Sequence, residues 1–352
     1  IMAYSTINKS SSFMNTVLYT GDGNNGNNIT GVGFQSDLVW LKNRSTATYE
    51  HHLMNVLQGF GTGSTDTPNL SSNNDSAEYD RNIFSSTGVT ADGFDLNNYG
   101  DTNVSGDNFV GWCWKANGAG SANTDGSISS TVSVNTTAGF SIVKYTGTGS
   151  ADTIGHGLGA VPKMIISKRL DTTSYWITYH EAIGNDKELY LNDTSAAAAA
   201  ANTWNSTTPT SSVWSVKTDS NNTSGGSFIS YVFAEVDGFS KFSSYIGNGD
   251  ATNSPFIYLG FKPKFVIIKN SGAAQEWVMF DNKRIGYNTA GNEKLYPDLP
   301  DAEADISEID LLSNGFKLRN SGNQSNQDGQ KMVYMAFGQT IVGTNNIPAT
   351  AR

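Results

Sequence analysis

The sequence predicts an all-β protein of three tandem β-sandwich or jelly-roll-like repeats, each of about 100 residues. Short runs rich in Val, Ile, Phe, Tyr and Trp are separated by clusters of Gly, Asn, Asp and Ser, which is the rhythm of strands and turns. The chain also matches itself three times over. Its composition supports a packed core: 17 Phe, 15 Tyr and 7 Trp are too many for a disordered chain. A length of 352 residues suits two or three domains.

The elements follow in order. After an N-terminal segment, 1–12, the repeats fall at 13–117, 139–236 and 239–338, with a tail at 339–352. Each repeat opens alike, with Tyr19-Thr-Gly-Asp-Gly23, Tyr145-Thr-Gly-Thr-Gly149 and Tyr245-Ile-Gly-Asn-Gly249. Each then reaches a strand ending in lysine: Asp37–Lys42, Lys163–Lys168 and Lys264–Lys269. The interval from opening Tyr to that Lys is 23, 23 and 24 residues. Leu70-Ser-Ser-Asn73, Leu189-Tyr-Leu-Asn192 and Leu295-Tyr-Pro-Asp298 share a leucine with an amide or acid three residues on. The closing strands are Phe109–Trp114, Phe228–Phe233 and Met332–Phe337. Trp176 and Trp277 each stand eight residues after their lysine, where repeat one reads Tyr49-Glu-His-His52.

Two stretches stand apart. Gly118–Ala138 is rich in Gly, Ser and Asn and reads as a linker. Asp193–Ala201, with six consecutive alanines after a capping cluster, reads as one short helix.

Charge excludes several functions. The chain carries 22 Lys and Arg against 32 Asp and Glu, a net charge of −10, so no nucleic-acid surface is expected. No apolar run is long enough to span a bilayer, so no membrane insertion is expected. The opening residues lack the apolar stretch of a secretory signal, which points to synthesis in a host cytoplasm and export by lysis or assembly. The single cysteine, Cys113 between two tryptophans, excludes a disulfide framework and reads as a buried thiol.

The repeated motifs resemble a repeat domain found in structural and tail-fibre proteins of tailed bacteriophages, especially marine ones. The likeness rests on MAYSTINKSS (Met2–Ser11), LVWLKNR (Leu38–Arg44), ADGFDL followed by FVGWCWKA (Phe109–Ala116), and GHGLGAVPKMIISKR (Gly155–Arg169). AEVDGFSKFSSYIGNG (Ala234–Gly249) and LLSNGFKLRNSG (Leu311–Gly322) extend it over nearly the whole chain. It implies a virion part rather than a particular role. Repeat one departs from the pattern at Glu50-His-His52 and in Phe60–Pro68.

Candidate chemistry is sparse. His51 and His52 point to opposite faces of a strand and cannot easily share one metal. His180-Glu181 matches Asp281-Asn282 and, in repeat one, His52-Leu53 or its neighbourhood, a position suited to a turn former. The acidic run Asp298–Asp310 offers carboxylates, but crowded and solvated ones, and Glu78 and Glu303 occupy equivalent positions, which fits structure better than glycoside hydrolysis. Asp22–Gly26 and Asn248–Asp250 offer oxygens to calcium without the spacing of a calcium loop, so no cofactor is expected. Recognition belongs where the repeats differ: Phe60–Asn69, Asn202–Thr210 and Asp281–Gly291. Within the second, Asn202, Trp204, Asn205, Thr207 and Thr208 are the candidate contact residues.

The expected function is therefore non-enzymatic: a virion protein in a tail fibre or appendage that attaches to host-surface glycan. Expected partners are itself, as a homo-oligomer with a trimer the first candidate, and other virion proteins. The alternatives are a capsid-decoration or self-assembling protein without a receptor, and a polysaccharide depolymerase.

Overall fold

The computed structural model describes residues 5–60, 66–284 and 292–341. Strand alternation and turn glycines produce an all-β fold whose helical content is a few single turns, such as Gly100–Asn103 and Asn323–Asn326.

Three antiparallel sheets share one strand order. The first runs Met14–Thr20, Asn108–Trp114, Leu38–Asn43, His52–Asn55. The second holds Phe140–Thr146, Ser227–Ala234, Pro162–Arg169 and Ile177–His180 in the same succession. The third repeats it with Ser240–Ile246, Lys331–Thr340, Phe261–Asn270 and Val278–Asp281. In each, the strand latest in sequence pairs with both the earliest strand and the lysine-ending strand.

Each sheet has two apolar faces because alternate residues point oppositely. One face packs on a small local sheet. Val39, Leu41, Phe94 and Cys113 form such a core in the first sheet. Ile165, Ile177, Trp214 and Val232 do so in the second, and Val266, Val278, Phe316 and Ala336 in the third. The opposite faces meet each other in a single central core, where Trp40, Trp112 and Trp114 join Met164, Tyr231 and Phe233 as well as Phe265, Met335 and Phe337. Edge-to-face contacts cross between sheets, as in Trp112 on Phe265 at 5.8 Å and Phe233 on Phe337 at 6.0 Å between ring centroids.

Two local expectations are corrected. The Gly118–Ala138 stretch is not a bare linker: Ser121–Asn123 and Ser130–Asn135 are strands that extend the second sheet beyond Phe140–Thr146. The alanine run is not helical. Ala198–Ala199 pair with Lys187–Glu188, Ala197 N–H donates to Ser271 O, and Ala200 N–H donates to Asp186 O. A nine-residue helix is marginal alone, and tertiary hydrogen bonds outcompete its small propensity gain.

Candidate functional site

The sequence-predicted contact loop is only partly a surface. Asn202, Thr207 and Thr208 are exposed and Asn205 is half-buried. Trp204 is not available: it is 1% exposed and packs edge-to-face on Tyr179 at 5.6 Å inside the second sheet's core. Its volume favours burial wherever a core has room. The chain then turns through Asn205 and Ser206, both with positive φ (51° and 44°). Thr207 Oγ1 donates to Asn205 O, and Asn185 Nδ2 donates to Thr208 Oγ1. Of the other variable loops, residues 61–65 and 285–291 lie outside the described residues.

The repeated polar residues have a different task, joining the three sheets. Lys42 donates to Tyr49 O in its own loop and to Pro300 O beside the third sheet, at 2.8 and 2.9 Å. Lys168 reaches Arg169 O and, beside the first sheet, Asp75 O. Lys269 reaches Gln275 O and, beside the second, Thr194 O. Burial, only partly offset by nearby carboxylates, pushes each of these lysines down to about 8.

The aromatic positions follow the same circuit. Trp176 Nε1 donates to Ser71 O and Trp277 Nε1 to Tyr190 O. In the first sheet His51 takes this place: Nδ1 accepts from Trp40 Nε1, which leaves Nε2 as the donor toward Tyr296 O at 2.9 Å. Burial holds His51 well below the ordinary histidine range, with Lys42 adding to the effect. The amide or acid after each repeated leucine accepts the backbone N–H of these residues: Asn73 from His51, Asn192 from Trp176, Asp298 from Trp277. Backbone bonds close the ring, from Glu78 N to Leu170 O, Ala197 N to Ser271 O, and Glu303 N to Arg44 O.

The remaining candidates are also committed. His180 Nδ1 accepts from Ala182 N, and its Nε2 faces Tyr334 O at 3.1 Å. Burial pushes this histidine down to about 4. Asp281 Oδ1 likewise accepts from Lys283 and Arg284 N–H. The corresponding residue of the first sheet is Asn55, not His52, because Asn55 pairs with Leu38 as His180 pairs with Met164. His52 turns the other way, between Asn69 Oδ1 and the Asp101 carboxylate. Glu303 forks onto Arg44, whereas Glu78 accepts from Gln58, so these two equivalent acids do unlike things. Asp22 and Asp250 accept backbone N–H groups of their own turns. Among the described residues no group of three His, Cys, Asp or Glu is placed to hold a metal. Cys113 is buried, which pushes its thiol up to about 12.

A cleft of about 410 Å³ lies over Thr136, Thr137, Glu235 and Asp237. Its Glu235 carboxylate accepts from Phe242 N–H.

Sequence reasoning located the lysines, the tryptophans and the Leu-x-x-Asn motif without their purpose. A lysine closing an apolar strand was the available signal, since a buried ammonium requires partners.

No curated protein matches the chain. A family model described as a domain of unknown function, DUF7483, matches residues 9–340, and the chain belongs to that family.

Proposed function

We propose that this protein is a non-enzymatic structural component of a bacteriophage virion, built from three tandem β repeats, that attaches to host-surface glycan from a tail fibre or similar appendage. The observation that carries this reading is how the interior polar groups are spent. His51, His180, Lys42, Lys168 and Lys269 all bond backbone carbonyls or N–H groups, so these interior polar groups serve to hold the sheets together. A scaffold held this way presents loops on a rigid frame, and weak contacts gain strength by multiplicity on a particle.

A self-assembling or capsid-decoration protein is the second reading. Ser130–Asn135 covers one edge of the second sheet, but among the described residues no strand covers Met14–Thr20 or Ser240–Ile246 on the corresponding side. Leu18 and Ile246 are exposed on these edges. Such edges invite pairing with further copies, which also supports a homo-oligomer.

Cryo-electron microscopy of the intact particle tests the choice. Density at a distal appendage, with the variable loops facing solvent, is the expected result. Density on the capsid lattice, with the two open edges occupied by neighbours, would replace attachment with assembly.

A further inference from the structure

The chain leaves each of the first two closing strands beside a cleft. At residues 115–119, just after Trp114, the cleft holds about 450 Å³, and at residues 235–237, just after Ala234, about 410 Å³. The two positions correspond, because Trp114 pairs with Met14 and Leu38 as Phe233 pairs with Phe140 and Met164. Both volumes suit a small ligand.

Their linings differ. The 410 Å³ cleft has hydroxyls and two carboxylates but no aromatic ring, and its Glu235 is already spent on the Phe242 N–H. The 450 Å³ cleft is lined by half-buried Val56 and Phe60 together with exposed Gln35, Lys115 and Asn117. Phe60 packs edge-to-face on Phe84 at 5.8 Å, which fixes the plane of its ring. Among the described residues the side chains of Gln35, Lys115 and Asn117 make no hydrogen bond and no ion pair.

The backbone that carries Lys115 and Asn117 is held in place. Asp37, 6% exposed, accepts the Ala116 N–H on one carboxylate oxygen at 2.6 Å and the Gly118 N–H on the other at 3.1 Å. The Asn117 N–H donates to Ser133 Oγ. Gly120 has a positive φ of 73°, and a Cβ there would stand 2.8 Å from Val132 O, so only glycine lets the chain pass this close. Three uncommitted polar side chains and a fixed ring, supported by bonds that are already made, have the construction of a binding site.

We propose that this cleft binds one uncharged pyranose residue of a glycan, with the C–H face of the sugar against Phe60 and its hydroxyls bonded by Gln35, Lys115 and Asn117. The inference rests on the attachment reading and names its site and ligand class. A pyranose ring presents C–H groups to the negative face of an aromatic ring and hydroxyls around its rim. Each hydroxyl both donates and accepts, as the Gln35 and Asn117 amides do. The Asp37 carboxylate lines the same cleft as Lys115, which disfavours an acidic sugar. A protein partner would need roughly 800 Å² on each side, more than one cleft of this size offers. Phe60 opens the stretch in which the first repeat departs from the others, so one such site per chain would act through the multiplicity of the particle.

The test is saturation-transfer NMR on the full chain with the methyl glycosides of glucose, galactose, mannose and N-acetylglucosamine. Glucuronate and open-chain sorbitol serve as comparisons. At least one glycoside should bind with a Kd of ~1 mM, and transfer should be strongest to the C–H protons of one ring face. Sorbitol, which has the hydroxyls without the ring face, should show no transfer, and glucuronate should bind no better than the glycosides. Phe60→Leu, which keeps an apolar side chain but removes the ring, should weaken binding roughly fivefold. Gln35→Ala and Asn117→Ala, both at exposed positions, should each do the same. Asp237→Asn, in the other cleft, should bind like the parent. An unchanged melting temperature verifies the folding of each variant. No transfer to any glycoside, equal transfer to sorbitol, tighter binding of glucuronate, or binding untouched by the three cleft variants would each overturn the site. If those variants lose binding while imaging places the chain on the capsid lattice, the site stands and host attachment fails. If the chain sits on a distal appendage and no glycoside binds, attachment stands and this site fails.

Discussion

The seam between the first and third sheets differs from the other two. The first and second sheets are joined by the chain, as are the second and third, so their contacts form at high effective concentration. The first and third sheets have no direct chain connection and are held by noncovalent contacts alone, the Glu303 N–H bond to Arg44 O among them. There Arg44 forks onto Glu303 at 2.8 and 2.6 Å. At the corresponding positions the other seams have Leu170 with Glu78 and Ser271 with Ala197, joined by backbone bonds without an ion pair. Arg284 lies in the same region, fully buried, paired with Asp281 at 2.6 Å and positioned over the Trp112 ring. Asp281 also accepts from Trp112 Nε1, across the seam. His51 stands where the other seams use tryptophan. Charge-assisted bonds are directional, so they fix the closing geometry that covalent continuity supplies elsewhere, at a desolvation cost the covalent seams avoid.

Breaking that difference should give the largest effect. Asp281→Ala leaves the buried Arg284 with only the Glu303 carboxylate, 3.5 Å away, and orphans the Trp112 N–H. A loss of about 3–5 kcal/mol in denaturant unfolding is expected. A loss below 1 kcal/mol would show that the closing seam does not depend on this pair.

The second effect is a pH dependence, visible as a difference between variants. His180 is held to about 4, below the ordinary value near 6.5, so the unfolded chain binds more protons between those pH values. Its contribution is intact above about 6.5 and lost as pH falls to about 4, on the order of 3 kcal/mol. Asp298 opposes it: burial raises this carboxyl to about 7, which favours the folded state on acidification. The parent should therefore lose more stability than His180→Gln across this window. Parallel pH profiles for the two proteins would contradict the assignment.

Smaller effects separate the histidine seam from the tryptophan seams. His51→Phe strands both Trp40 Nε1 and Tyr296 O and should cost about 2 kcal/mol. Trp277→Phe strands only Tyr190 O and should cost about 1 kcal/mol. Equal losses in thermal unfolding would mean that the His51 relay adds nothing to a single indole bond.

Much of the fold was legible because strand signals are local. The continuous apolar run Leu38–Leu41 and the turn glycines are properties of neighbouring residues, and they place strands where the structure has them. The site was less legible. Trp204 looked like a contact residue in a Thr-rich loop, yet it fills the core beside Tyr179. The Ala196–Ala201 run looked helical, yet Ser271 and Asp186 from other parts of the chain claim its backbone. The turn-forming position of the first repeat was legible only as His52-Leu53 or its neighbourhood, and the register assigns it to Asn55.

By itself the sequence determined the β class, the positions of the main sheet strands and the recurrence of lysine, tryptophan and Leu-x-x-Asn/Asp at matched intervals. Those depend on side-chain period and residue type over a few neighbours. The tertiary structure alone decided that Lys42, Lys168 and Lys269 bond carbonyls beside another sheet, and that His51 serves in place of a tryptophan. Each of these depends on which distant residue comes within about 3 Å to form a hydrogen bond. No local pattern encodes that distance.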